Sequence, residues 1–108
     1  MTTTIGRDDL RAAIETAAVT VVDALPAAPY RARHLPGALN LVVDDAPDHA
    51  AEVLPDRDAP VVTYSTNAVC GRGEALAALL GELGYRDVRV YADGIEDRVA
   101  AGLPVEAA

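Results

Sequence analysis

The sequence has no phenylalanine, no tryptophan and no lysine, and it contains one cysteine, one methionine and two histidines. Its hydrophobic residues make up 51% of the chain but are mostly alanine, valine and leucine, so we expect closely packed helices and strands around small core side chains. A single cysteine cannot form an internal disulfide, so nothing in the composition indicates an oxidising compartment. The histidines and the cysteine are far apart in sequence and give no metal-ligand spacing, so we predict no metal and no cofactor.

Positive charge is also scarce. Seventeen acidic side chains stand against nine arginines, for a net charge of −8. Such a chain repels nucleic acid and anionic membrane surfaces, so we expect neither as a partner. No apolar run approaches the roughly 20 residues of a membrane span, and the N-terminus lacks a secretion-signal pattern. We therefore expect a single domain over residues 1–108 that is soluble, cytoplasmic and monomeric, since no helix shows an exposed apolar face.

Helical and strand patterns alternate along the chain. Short apolar runs predict strands over residues 19–23, 38–42, 61–64 and 88–91. Amphipathic spacing predicts helices over 8–17, 48–54, 72–83 (with 71 as an alternative start) and 96–101, and a helical turn over 30–33. This alternation predicts an α/β domain with a small, mostly parallel sheet flanked by helices.

Three polar features follow predicted strands, at the edge where open parallel sheets bind their ligands. Asp23 closes the first strand, the loop Ser65–Gly71 follows the third, and Asp93 and Gly94 follow the fourth. The loop is small and polar and leads into a helix, whose free N–H groups and dipole favour an anion and lower the pKa of a thiol. Arg72 is placed to help hold an anion. The alternative is an ordinary tight connection with Arg72 in solvent.

The chain resembles the single-domain rhodaneses, a family of sulfurtransferases. The matching segments are "RHLPGALNL" at 33–41, "VVTYS" at 61–65, "ELGYRDVRVYADGIEDR" at 82–98 and "GLPVE" at 102–106. The resemblance runs from Val19 to Glu106 and implies a rhodanese-like fold. It also implies sulfane-sulfur chemistry, in which a cysteine after the tyrosine attacks a donor such as thiosulfate, becomes a persulfide and passes the sulfur to an acceptor thiol or cyanide.

The nucleophile position that the resemblance implies is occupied by Ser65, while Cys70 stands where a longer-loop branch of the family has a second cysteine. A serine hydroxyl is barely ionised at neutral pH and cannot form a persulfide, so this chain should be inactive or impaired in the family reaction. Ser65 is then an engineered replacement, or a natural residue of a binding or regulatory module, or Cys70 carries the chemistry as a secondary thiol. The last ranks lowest, because a lone cysteine is commonly an inert, small apolar residue.

The resemblance also implies which other residues form the site. Anion or substrate contacts are expected from the remaining loop positions and the helix start: Thr66, Asn67, Ala68, Val69, Gly71 and Arg72. Asp23 and His34 are expected to support the site, His34 as a hydrogen-bonded structural residue that holds the turn and the Asp23 region. The ligand would be a small sulfur-containing anion or an acceptor thiol, and a binding module would take a partner protein. A phosphatase-like relative of the same fold is disfavoured, because it needs an arginine six residues after the nucleophile, where this chain has Gly71.

Besides Ser65, four further positions depart from the family pattern. Leu25 stands where an arginine is frequent, Arg33 replaces the glycine before the histidine, Asp93 replaces a glycine, and Arg98 replaces a tryptophan. Arg33 and Arg98 either offset lost positive charge or lie on the surface. We expect the surface for both, since exposed arginine is the common case.

Overall fold

The chain forms one five-stranded parallel sheet flanked by helices, and the computed structural model describes residues 3–108. The strands are β1 (Thr3–Thr4), β2 (Thr20–Asp23), β3 (Leu39–Asn40), β4 (Val61–Tyr64) and β5 (Val88–Tyr91). The helices are α1 (Arg7–Glu15), α2 (Ala27–Ala32), α3 (Ala46–Val53), α4 (Arg72–Glu82) and α5 (Gly94–Ala100), and a 3-10 turn over Val43–Asp45 leads into α3. The predicted α/β architecture is confirmed.

The strands lie in the order β1-β5-β4-β2-β3, and every neighbouring pair is parallel. Asp23 of β2 pairs with Tyr64 of β4, which pairs with Tyr91 of β5, so three strands end side by side. The carboxyl ends of these three strands therefore form one edge of the sheet, where the site is expected.

Alternate residues of the central strands enter two separate hydrophobic cores. Val22 and Val61 pack in a core with residues of α3 and α4, while Val21 and Val62 pack in a second core with residues of α1 and α5. Because successive strand side chains point to opposite faces, a strand covered on both faces must be apolar throughout. That requirement explains the β-branched runs in β2 and β4.

Some boundaries differ from those predicted. β1 was not predicted, because two threonines are too short a run to show strand periodicity. β3 is shorter than the predicted 38–42, since only Leu39 and Asn40 pair with β2. α2 is longer than the predicted turn: it begins directly after Pro26 and accommodates Pro29 in its first turn, where a missing N–H breaks no helical bond. Within residues 3–108, no helix has the length and apolar character needed to cross a membrane.

Candidate functional site

The loop Ser65–Gly71 joins β4 to α4 at the carboxyl edge of the sheet. Gly71 caps α4 with a φ of 75°, a left-handed conformation that glycine adopts without steric cost. At Gly73, an added Cβ would lie 3.1 Å from the Cα of Tyr64, so the first turn of α4 packs directly on the end of β4. The Thr63 hydroxyl donates to the Gly73 carbonyl at 2.7 Å and fixes this approach. The loop is consequently held at the N-terminus of α4.

The start of α5 fixes the other side of the loop. The N–H of Ile95 donates to the Ser65 carbonyl and the N–H of Glu96 donates to the Thr66 carbonyl, both at 3.0 Å. Gly94 adopts a φ of +75°, and a Cβ there would lie 2.5 Å from both the carbonyl carbon and the oxygen of Thr66. These contacts pair the carbonyls of Ser65 and Thr66 with α5.

Asn67 closes the loop on itself. Its side chain donates to the Glu96 carboxylate at 2.9 Å and accepts from the N–H of Val69 at 3.1 Å. Its carbonyl accepts the N–H of Cys70 at 3.2 Å. Ala68 and Val69 are exposed, and Val69 retains 90% of its accessible surface. The tip of the loop is therefore held by hydrogen bonds within the loop and by one hydrogen bond to α5.

Several groups near the loop favour the charged form of the Cys70 thiol. Burial raises the pKa of Cys70, but the N–H of Arg72, the hydroxyl of Ser65, and the N–H and hydroxyl of Thr66 outweigh that effect and lower it. Ser65 itself is only 3% exposed, at the base of the loop. The thiol is half-buried, so its sulfur lies among hydrogen-bond donors while staying partly accessible. Hydrogen bonds to the charged form are the kind of interaction that increases the thiolate fraction.

The structure brings together some of the predicted loop residues and separates others. Ser65, Thr66 and Cys70 face one another, while Ala68 and Val69 lie outside this group. Arg72 contributes its backbone N–H, and its side chain is exposed. The anion-binding role of the loop stays a prediction. The position of the Cys70 sulfur was not evident from the sequence, because it depends on the turn between Asn67 and Cys70.

Asp23 belongs to a buried group that we call the aspartate cluster, formed by Asp23, Tyr64 and the backbone N–H groups of Leu25 and Leu35. Asp23 Oδ1 accepts the N–H of Leu25 at 2.8 Å, and Oδ2 accepts the Tyr64 hydroxyl at 2.7 Å. The same hydroxyl oxygen accepts the N–H of Leu35 at 3.0 Å. Burial raises the pKa of Asp23, and the two hydrogen bonds and the charge of His34 offset this only in part.

His34 is buried, and its hydrogen bonds go to Tyr30 and Glu106 rather than to the Asp23 region, where they were expected. Its Nδ1 lies 2.8 Å from the Tyr30 carbonyl oxygen, and its ring stacks on that of Tyr30 at 4.2 Å. Its backbone pairs with Glu106 in an isolated antiparallel bridge. In the part of the chain that the structure describes, its hydrogen bonds therefore tie α2 to the C-terminal segment, and Asp23 is held by Tyr64 and Leu25 instead.

Arg98 is buried, and the expectation that it lies on the surface was wrong. It is 4% exposed, and its Nε donates to the Pro104 carbonyl at 2.8 Å. Burial lowers the pKa of Arg98. The residue sits on α5 where the family pattern has a tryptophan, and the segment after α5 folds back and bonds to it through Pro104, so that segment accounts for its burial. Arg33 is exposed, as expected.

A small cavity of about 260 Å³ adjoins the loop at Thr66. Its other walls come from the segment after β2, from α2 and from α5: Leu25, Pro29, Ala32, Arg33 and Ile95. Sequence reasoning missed this cavity, because three separate segments build it. Within residues 3–108, no three histidine, cysteine, aspartate or glutamate side chains come close enough together to hold a metal ion.

A parallel α/β sheet that carries a donor-rich loop at a helix N-terminus is a class of domain suited to holding an anion or a thiolate. Comparison with known families shows to which family this domain belongs. The sequence profile described as "Rhodanese-like domain" matches residues 6–101. The chain therefore belongs to the rhodanese-like domain family.

The chain is also similar to individual proteins. The chain is 35% identical over 102 residues to a helix-turn-helix-type transcriptional regulator of Mycobacterium tuberculosis, a match that covers 94% of this chain and 44% of the relative. A Bacillus halodurans protein has a similar structure, with a TM-score of 0.89 and 23% identity over 98% of this chain and 77% of the other. A thiosulfate sulfurtransferase from Pseudomonas aeruginosa gives 0.85 and 24% over 97% of this chain and 20% of the other. The chain thus spans less than half the length of its curated relative, and the two structures show its fold.

Proposed function

We propose that this domain handles sulfane sulfur, such as that of thiosulfate or a persulfide, at the loop Ser65–Gly71, and that transfer through position 65 is lost or impaired because that residue is Ser65. The observation that carries the proposal is the position of the loop at the N-terminus of α4, with the Ser65 and Thr66 carbonyls bonded to α5 and the pKa of the Cys70 thiol lowered by neighbouring donors. A cradle of N–H and hydroxyl donors stabilises an anionic sulfur and offers little to a neutral serine. The ligand is a small sulfur-containing anion or an acceptor thiol.

A cysteine at position 65 would complete the family reaction. Its thiolate would attack the sulfane sulfur of thiosulfate, the S–S bond of the donor would break, and sulfite would leave with the bonding electrons. The resulting persulfide would pass its outer sulfur to cyanide, giving thiocyanate and the free thiolate. Ser65 is 3% exposed and directly follows β4, so a thiol there would begin at the base of the same loop.

Cys70 is proposed as a secondary thiol that accepts a sulfane sulfur in this chain. The loop donors lower its pKa, and the half-buried sulfur is within reach of a small molecule. A sulfur accepted by Cys70 would be held at a different place from one accepted by a cysteine at position 65, because Cys70 lies at the exit of the loop, close to α4.

Thiosulfate:cyanide sulfur transfer by this chain and by Ser65→Cys tests the proposal. We expect background activity for the chain as it stands and a clear gain for Ser65→Cys, with Ser65→Ala as the control that changes the residue without supplying a thiol. Ser65→Cys in a Cys70→Ser background shows whether the second thiol is needed. Failure of Ser65→Cys with several sulfur donors would exclude transfer through position 65.

Mass spectrometry after incubation with a sulfane-sulfur donor tests the role of Cys70. We expect a mass gain of one sulfur atom that dithiothreitol removes and that Cys70→Ser abolishes. An unchanged mass at neutral pH, with Cys70 shown to be alkylated by iodoacetamide, would mean that the thiol is reactive but takes up no sulfur.

A second candidate is a regulatory module, in which occupancy or modification of the loop is a signal rather than a catalytic step. The observation that favours it is the 35% identity to a protein named as a transcriptional regulator. An inert Ser65→Cys variant, together with stabilisation of the unmodified chain by a sulfur-containing anion in thermal unfolding, would support this candidate over the enzyme. The phosphatase-like alternative has no supporting observation, since Gly71 occupies its arginine position and the Arg72 side chain is exposed.

We further propose that the domain works in the cytoplasm as a monomer. Its single cysteine, Cys70, is free, and its net charge of −8 disfavours nucleic acid and anionic membranes as direct ligands of this domain.

A further inference from the structure

The cavity beside the loop differs in chemistry from the loop itself. We call it the α2 cavity; it is lined by Leu25, Pro29, Ala32, Arg33, Thr66 and Ile95. Four of these side chains are apolar and come from three segments, whereas Thr66 is the residue next to the proposed sulfur-handling position. A molecule bound here would therefore rest on apolar walls with one end at the loop.

The apolar walls disfavour a small, doubly charged ion as the occupant. Leu25 and Ile95 are buried, at 8% and 2% exposure, and neither side chain offers a hydrogen bond. An inorganic anion against these walls would lose hydration without gaining polar partners in return. An apolar group in the same place would be stabilised by the surface that it removes from water, which belongs mainly to the exposed Pro29 and Ala32.

Arg33 supplies the charge of the α2 cavity. Its side chain is exposed at the cavity rim, and within residues 3–108 it forms no ion pair with a carboxylate. A guanidinium binds a carboxylate or sulfonate through paired N–H donors. The sequence has Leu25 where an arginine is frequent in the family pattern, so in this chain the wall is apolar and the cation stands at the rim.

The size of the α2 cavity limits the occupant. Pockets for drug-sized ligands span about 300–1,000 Å³, and this one measures about 260 Å³. It accommodates a single short apolar body, such as one aromatic ring, with an anionic head. A larger hollow of about 440 Å³ beside α3 is lined by none of the loop residues and offers no route to the sulfur.

We propose that the α2 cavity binds an organic sulfane-sulfur compound with a short apolar body and an anionic head, and that it prefers this class to inorganic thiosulfate. The apolar body rests on the exposed Pro29 and Ala32, beside the buried Leu25 and Ile95, the anionic head pairs with Arg33, and the sulfane sulfur is directed to the loop at Thr66. The inference rests on the proposed function for the fate of the sulfur, while binding by the cavity is independent of any transfer step.

Titration of the unmodified chain with unreactive sulfonates tests binding by itself. Amide chemical shifts are followed by NMR during addition of benzenesulfonate, methanesulfonate or sulfate. We expect saturable shifts at Thr66, Ala32 and Ile95 with benzenesulfonate, and none that saturate with the other two. Equal responses to all three anions, shifts remote from these residues, or no binding of benzenesulfonate would each overturn the proposal.

Two arginines of the same helix region provide a matched pair of variants. Arg33→Ala should weaken benzenesulfonate binding by about three- to fivefold, the range expected for one partly exposed ion pair. Arg31→Ala removes an exposed arginine of α2 that does not line the cavity, and it should change affinity by less than about twofold for the same reason. An equal effect of both variants would mean that general positive charge, and not the cavity, attracts the anion.

Sulfur transfer in the Ser65→Cys background tests the preference between donors. With benzenethiosulfonate, the thiolate at position 65 would take the outer sulfur, the S–S bond of the donor would break, and benzenesulfinate would leave with the bonding electrons. We expect a higher kcat/KM with this donor than with thiosulfate, and Leu25→Arg should reverse the order by placing a second cation in the wall. The same order in both variants would contradict the assignment of the cavity as the donor site. If Ser65→Cys transfers no sulfur but benzenesulfonate binding is as expected, the proposed function fails and the ligand class stands.

Discussion

Two polar regions at the carboxyl edge of the sheet use their hydrogen bonds in opposite ways. In the aspartate cluster, both oxygens of Asp23 and the Tyr64 hydroxyl are paired within the protein and fully buried. In the loop Ser65–Gly71, the carbonyls of Ser65 and Thr66 are paired outward with α5, and the donors of the same two residues lower the pKa of the half-buried Cys70 thiol. A polar group that is completely satisfied contributes stability and specificity of packing, whereas donors held ready for a partner serve chemistry.

Removal of the Tyr64 hydroxyl should break the aspartate cluster and leave the loop intact. Tyr64→Phe takes the partner from a carboxylate oxygen of Asp23 and from the N–H of Leu35, so we expect unfolding free energy to fall by about 2–4 kcal/mol. Urea unfolding followed by circular dichroism measures this. Tyr30→Phe is the control, because that half-buried hydroxyl makes one bond, to the Ala38 carbonyl, and its loss should cost about 1 kcal/mol. Equal losses of unfolding free energy for both variants would mean that the aspartate cluster contributes no more than a single hydrogen bond.

Substitution of Gly94 should displace the loop and leave the aspartate cluster intact. In Gly94→Ala the new Cβ meets the Thr66 backbone, and the residue is strained at positive φ, so we expect a loss of about 2–3 kcal/mol and a higher pKa of Cys70. Gly102→Ala is matched in φ, at +73°, but has open space, and it should cost about 1 kcal/mol with an unchanged pKa of Cys70. The pH dependence of alkylation by iodoacetamide measures the pKa of the Cys70 thiol. An unaltered Cys70 profile in Gly94→Ala would show that α5 does not position the donors.

The pH dependence of stability should separate Asp23 from an ordinary paired carboxylate. Its pKa is raised in the folded state above the ordinary value of 3.8, because burial outweighs its hydrogen bonds. The folded state therefore binds this proton more tightly than the unfolded state, and the stability that Asp23 contributes falls as pH rises from about 3.8 through the raised pKa. The difference in unfolding free energy between the chain and Asp23→Asn should shrink over that window. A difference that grows with pH would mean that the hydrogen bonds outweigh burial.

The smallest effect is expected from the Ser65 hydroxyl. Ser65→Ala removes one of the groups that lower the pKa of Cys70, so the pKa should rise and alkylation at neutral pH should slow by up to about tenfold. Stability should change by less than about 1 kcal/mol, since only one hydrogen bond is lost. Thr20→Val, which removes a hydroxyl at the far end of β2, should leave the rate unchanged. Faster alkylation in Ser65→Ala would indicate that the hydroxyl shields the sulfur rather than stabilising its charge.

Much of the fold was predictable, because it depends on local patterns. The apolar runs of β2, β4 and β5, the helical spacing of α4 and the polar loop between β4 and α4 are each visible within about a dozen residues. β1 and α2 were harder to predict, since two threonines carry no period and the prolines near α2 resemble a break. Arg98 was misplaced because its burial depends on a segment that folds back over it.

The amino-acid sequence was enough to recognise the family, to order the strands along the chain and to limit the chemistry at position 65, because a serine has no sulfur whatever surrounds it. The tertiary structure decided which atoms meet. The Cys70 thiol gains its donors only after the loop turns at Asn67 and α5 engages the loop carbonyls, and the α2 cavity exists only where three distant segments come together. The lining of the α2 cavity is non-local, and the donors of Cys70, although near it in sequence, depend on how α5 holds the loop, so the spacing of residues along the chain reveals neither.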